Sequence, residues 1–92
     1  MSEIQDLNKL RQKINRIDDK LLELLIERAE FSAEIGDIKK RLQKERFDRN
    51  RESVIFHKLQ SKCIELNCDF DYVSNIWKII LNKSHEIQID GK

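Results

Sequence analysis

Three cations pose the first chemical question. From Leu7 the apolar residues recur in steps of three and four, as Leu7, Leu10, Ile14, Ile17, Leu21 and Leu24, then Phe31, Ile35, Ile38 and Leu42. The slot between Leu24 and Phe31 is filled by Arg28. That spacing is the a/d seam of a helix packed along its length on other helices, so a guanidinium is aimed into apolar surroundings. A charge there is costly unless something pairs with it. With Arg28 at an a position, Arg11 and Lys39 both fall at e positions and border the same seam. Further along, Asp48, Arg51 and Glu52 cluster, and Ser84 and Gln88 lie one helical turn apart. These residue types suit a small, polyanionic, oxygen-rich ligand. Guanidiniums take carboxylates, Glu52 accepts from a hydroxyl, and Lys39 and Gln88 donate to a neutral oxygen. Ser84 has no evident base, and His85 beside it points elsewhere on a helix, so covalent catalysis is disfavoured.

Helical rise constrains how these groups can meet. Arg28 and Lys39 are separated by about 16 Å along an axis, within reach of two long side chains converging on one anion, whereas Arg11 and Lys39 are about 42 Å apart. One ligand cannot touch both ends of one helix. If all three cations serve one site, Arg11 comes from a second chain packed antiparallel.

The elements follow from period and caps. The first helix is predicted from about Ile4 to about Leu42, with Ser2 a candidate N-cap and Gly36 its one weak interior position. Such a rod is roughly 58 Å long, and unless the remaining residues lie along it, one compact domain cannot cover it, so something else is expected to cover part of the seam. Gln43 to Phe47 is a polar connection without proline, which leaves room for the first helix to extend further. Asp48 is the predicted N-cap of a second helix through about Asn67, with Val54, Ile55, Leu59, Cys63 and Leu66 inward. Asn67 to Asp69 is a turn, and Asp69 caps a third helix reaching about Ile89, with Val73, Ile76, Trp77, Ile80, Leu81 and Ile87 inward. Trp77 and Phe31 are expected in the core.

Composition agrees and narrows function. The 92 residues include no proline and two glycines, which favours an all-α single domain, one long and two shorter helices. A chain of this size often needs oligomerisation for stability. Eighteen basic against seventeen acidic residues leave a net charge of +1, so no global field recruits nucleic acid or a membrane surface, and Lys39, Lys40 and Arg41 lack interleaved aromatics. No run approaches a membrane span, and no Cys, His or carboxylate spacing suggests a metal; a soluble cytoplasmic protein is expected. Cys63 and Cys68, five apart, are not expected to face each other across a helix, so both are read as reduced.

Together these residues resemble a known family. Leu10-Arg11-Gln12-Lys13-Ile14, Ile17-Asp18, Leu21-Leu22-Glu23-Leu24-Leu25, Glu27-Arg28, Ile35-Gly36, Lys39 and Asp48-Arg49-Asn50-Arg51-Glu52 resemble the all-helical class of chorismate mutases. The likeness extends over nearly the whole chain and is nearest to the mutase domains fused to prephenate dehydratase in enteric bacteria. Ser84 and Gln88 also fall on family active-site positions. The resemblance implies an intertwined homodimer with two sites, each completed by Arg11 of the other chain, and rearrangement of chorismate to prephenate with no cofactor or metal. By that resemblance Arg11 and Arg28 bind the two substrate carboxylates. Lys39 and Gln88 donate to the ether oxygen, Glu52 with Asp48 handles the ring hydroxyl, and Ser84 and Arg51 assist a carboxylate. A neutral Gln88 needs no protonation to donate, so activity is expected to persist through neutral pH. Glu52 separates this reading from an isochorismate pyruvate lyase of the same fold, which typically lacks that carboxylate. A non-catalytic helical dimer would not need Arg11, Arg28, Lys39 and Gln88 together. Two departures stand out: the missing proline before Asp48, and His85 where the family is usually apolar.

Overall fold

The computed structural model describes residues 2–43 and 49–90. It holds three helices, α1 (Glu3–Arg41), α2 (Arg49–Leu66) and α3 (Phe70–Asp90), and no strand among the described residues. The chain is all-α, as composition and period require. It forms two units, Met1–Phe31 and Ser32–Lys92, and α1 belongs to both.

Each helix end has an identifiable cause. Ser2 and Gln5 form a reciprocal capping box: the Gln5 N–H donates to Ser2 Oγ at 3.2 Å, and the Ser2 N–H donates to Gln5 Oε1 at 3.4 Å. Acidic Glu3 and Asp6 in the first turn and Lys39, Lys40 and Arg41 in the last complement the helix dipole. Gln43 adopts a left-handed φ of 55°, and its N–H donates to Lys40 O at 3.2 Å, ending α1 at Arg41 without a proline. Asp48, predicted to cap α2, lies outside the described residues.

Between α2 and α3 the chain closes a Schellman turn. Asn67 has φ 55°, the Cys68 N–H donates to Cys63 O at 2.9 Å, and the Asn67 N–H donates to Ile64 O at 3.4 Å. Asp69 then caps α3 through Oδ1, which accepts from the N–H groups of Asp71 at 3.0 Å and Tyr72 at 3.4 Å. The Schellman turn corrects the expectation that Cys63 and Cys68 face apart. Residues five apart diverge on a continuous helix, but a left-handed residue between them folds Cys68 back over the last turn. The two thiols are free and hydrogen-bonded to each other. That bond, with burial, pushes the Cys63 thiol up to about 11.

In the unit Ser32–Lys92, α2 and α3 pack on one another across the short turn. Cys63, Leu81 and Ile87 are buried, while Ile55, Leu59, Val73, Trp77 and Ile80 are half-buried, close to the predicted inner faces. Val54 and Leu66 on α2 and Ile76 on α3, all expected inward, are exposed instead. In the unit Met1–Phe31 the seam residues Leu7, Leu10, Ile14, Ile17, Leu21 and Leu24 are all exposed, and so is Phe31, at 56 %. Phe31 is therefore not a core residue of the single chain: it stands on the seam, and nothing in the unit Met1–Phe31 covers it.

Candidate active site

The predicted site residues separate by unit. Lys39, Arg51, Glu52, Ser84 and Gln88 belong to Ser32–Lys92, whereas Arg11 and Arg28 belong to Met1–Phe31. Arg11 is exposed and Arg28 half-buried. Within the larger unit, Lys39, Ser84 and Gln88 converge where α1 meets α3. Glu52, half-buried, and Arg51, exposed, occupy the first turns of α2.

Small residues make the α1 to α3 crossing close. Ser32 and Gly36, one turn apart, are the buried residues of α1, and Ser84 with half-buried Gln88 forms the matching row on α3. Ser32 pairs with Ser84, and Gly36 and Lys39 with Gln88, so the two helices run in the same direction here. At Gly36 an added Cβ would lie 2.7 Å from Gln88 O and 2.8 Å from Gln88 Cα. Gly36, expected to be the weak point of α1, is the residue that lets the helices approach.

Gly36→Ala should therefore destabilise the protein despite alanine's higher helix propensity. The propensity gain is about 1 kcal/mol. It is opposed by overpacking against backbone that cannot rotate away, at about 1–3 kcal/mol. A net loss of up to about 2 kcal/mol in urea unfolding is expected. Equal or higher stability would show that the crossing tolerates the methyl.

Hydrogen bonding at the crossing orients two donors. Lys39 Nζ donates to Gln88 Oε1 at 3.1 Å, both side chains being half-buried. With its carbonyl engaged, the Gln88 amide must turn its NH₂ the other way, and an ammonium carries three donors. One neutral acceptor can thus be addressed by an ammonium and an amide together. One turn earlier on each helix, Ser32 Oγ lies 2.6 Å from Ser84 Oγ, a buried hydroxyl pair. Ser32 was not among the predicted site residues. A lone serine one turn before Gly36, off the apolar seam, carries no signal in the sequence that could have found it.

His85, next to Ser84 in the chain, is half-buried. No group of His, Cys, Asp and Glu among the described residues could hold a metal ion, and no described helix is long and apolar enough to cross a membrane.

Fold and site define a class of all-helical protein that gathers ammonium, amide and hydroxyl donors at a tight helix crossing. Comparison with known proteins is specific. Residues 10–89 match the family described as chorismate mutase type II. The chain is 31% identical over 85 residues to a chorismate mutase of Methanocaldococcus jannaschii, covering 92% of this chain and 86% of that protein. It is 39% identical over 56 residues to the bifunctional chorismate mutase/prephenate dehydratase of Aquifex aeolicus, covering 61% of this chain and 16% of that one. With the bifunctional enzyme of Escherichia coli the identity is 32% over 75 residues, covering 82% and 19%. The chain thus spans less than a fifth of the length of these bifunctional relatives. It belongs to the type II chorismate mutase family.

Proposed function

We propose that this protein is an isomerase that converts chorismate to prephenate, with one site per chain of a homodimer. The observation that carries the reading is the Lys39 to Gln88 hydrogen bond, which holds two donors at one point on a family-matched chain. The reaction is unimolecular. One carbon–oxygen bond breaks as one carbon–carbon bond forms, so atoms balance without a co-reactant. The protein has two tasks, to confine an extended substrate in a compact chair and to stabilise negative charge growing on the ether oxygen. Enzymatic accelerations begin near 10⁶, so on the order of 8 kcal/mol must come from these two effects.

The roles are those that the family resemblance implies, and the chemistry of each group suits them. Lys39 and Gln88 donate to the ether oxygen, and the amide fixed by Lys39 is poised to do so without protonation. Arg28 and Arg11 take the two carboxylates, Ser84 and Arg51 assist one of them, and Glu52 with Asp48 accepts from the ring hydroxyl. Arg11 is supplied by the second chain. The exposed seam from Leu7 to Leu24 supports this, because so long an apolar stripe on one helix calls for a partner. A cytoplasmic location fits the same reading.

Incubation with chorismate, followed by NMR, tests the function directly. Prephenate should accumulate as the single product, at a rate at least about 10⁶ above the uncatalysed reaction. Pyruvate released from isochorismate, with chorismate left intact, would assign a lyase. No turnover of either compound would leave a helical interaction module.

A further inference from the structure

Ser32 has no part in the roles above, yet it contacts one of the groups that does. Its Oγ is 2.6 Å from Ser84 Oγ, at the short end of the range for two hydroxyls, and the residues are only 4 % and 8 % exposed. Packing does not require this hydroxyl. The crossing demands a small residue, as Gly36 shows one turn on, and alanine would meet that demand at position 32. A serine adds one oxygen and one proton, and burying them is unfavourable unless they are hydrogen-bonded.

Two hydroxyls sharing one contact have a direction, because only one proton lies between the oxygens. If Ser84 donated to Ser32, Ser84 would offer a ligand only its lone pairs, which a carboxylate cannot use. If Ser32 donates, Ser84 accepts through one lone pair and keeps its own proton for the ligand. An anionic ligand therefore selects the second arrangement. Each bond in such a chain also polarises the next.

We propose that Ser32 is a positioning residue: its hydroxyl donates to Ser84 Oγ and thereby points the Ser84 proton at a substrate carboxylate. The inference rests on the proposed role of Ser84 and deepens it. Ser32 touches no substrate atom in this scheme. It fixes the rotor of the hydroxyl that does, so its effect falls on ground-state and transition-state binding alike, since the carboxylate is charged in both.

Steady-state kinetics with chorismate on four proteins, the parent, Ser32→Ala, Ser84→Ala and the double variant, provide the test. Ser32→Ala should raise KM about threefold to tenfold, the scale of one hydrogen bond, with kcat within about twofold. In the Ser84→Ala background the same change should have no effect on KM, because there is no rotor left to fix. Ser32→Cys, which keeps a weak donor, should fall between serine and alanine, and it serves the test should Ser32→Ala unfold. A KM unchanged in Ser32→Ala, or raised equally with and without Ser84, overturns the proposal and makes the pair a packing feature. Turnover by the parent keeps the two hypotheses apart. Parent turnover with an additive cycle removes only the role of Ser32, whereas a parent that does not turn over chorismate removes the functional reading and this inference with it.

Discussion

Replacing Gln88 with glutamate should slow chorismate turnover about 10³-fold or more at pH 7 and restore it progressively as the pH falls. The amide donates through N–H at any pH, while a carboxylate only accepts. In the parent, Lys39 Nζ donates to Gln88 Oε1 at 3.1 Å, which leaves the NH₂ for the ether oxygen. The carboxylate introduced by Gln88→Glu would keep the contact with Lys39, strengthen it into an ion pair, and present a second anionic oxygen where charge develops in the transition state. Protonation restores one O–H donor. An unperturbed glutamate titrates near 4.3, and the adjacent ammonium lowers that value, since an opposite charge favours the ionised form. Activity should then follow the protonated fraction, rising about tenfold per pH unit on acidification and levelling only below the carboxyl's own pKa. The parent should show no such acid limb from position 88, because an amide does not titrate. The measurement is kcat/KM from about pH 4.5 to 8 for both proteins, with helicity followed alongside. A variant whose profile runs parallel to the parent's would remove Gln88 from the donor role.

How much of the site is legible in the sequence depends on the range of each interaction. Caps are local, and the chain states them openly: Ser2 with Gln5, Asp69 before Phe70, and a turn at Asn67 all do what their spacing demands. Lys39 and Gln88 are forty-nine positions apart, and their types point to one acceptor before geometry joins them. Gly36 misleads for a physical reason. Helix propensity scores a glycine by the backbone entropy it loses, whereas its worth here is the missing Cβ against Gln88 of another helix, a tertiary fact with no local trace. Ser32 escapes for the same reason, because a lone helix serine is ordinary until a second hydroxyl lies against it. Cys63 and Cys68 diverge only under helical geometry that holds while the helix continues, and the left-handed Asn67 ends it between them. Phe31 reads as core on the strength of its seam position, but a seam specifies that a face will be covered, not by which chain.

The uncovered seam bears directly on the origin of Arg11. Arg11→Ala and Arg28→Ala proteins should each be nearly inactive alone, since each removes a guanidinium from every site and leaves a substrate carboxylate unpaired. Mixed in equal amounts and allowed to exchange subunits, they should recover about a quarter of the parent's activity per chain. Half of the dimers are then mixed. In each of these, one site combines Arg28 of the first chain with Arg11 of the second and is intact, while the other lacks both. If instead each site drew Arg11 and Arg28 from one chain, every site in a mixed dimer would still lack one guanidinium, and mixing would recover nothing. The spacing makes the first outcome the expected one: Arg11 and Lys39 are twenty-eight positions apart, and a continuous α-helix of that length would separate them by about 42 Å along its axis. No single small ligand held by Lys39 reaches that far along the same helix, whereas a second copy laid antiparallel along the whole exposed stripe from Leu7 to Leu42, centred near position 25, would return an Arg11 to the level of Lys39. Subunit exchange confirmed by a mass-tagged partner, without regained turnover, would rule out the shared site.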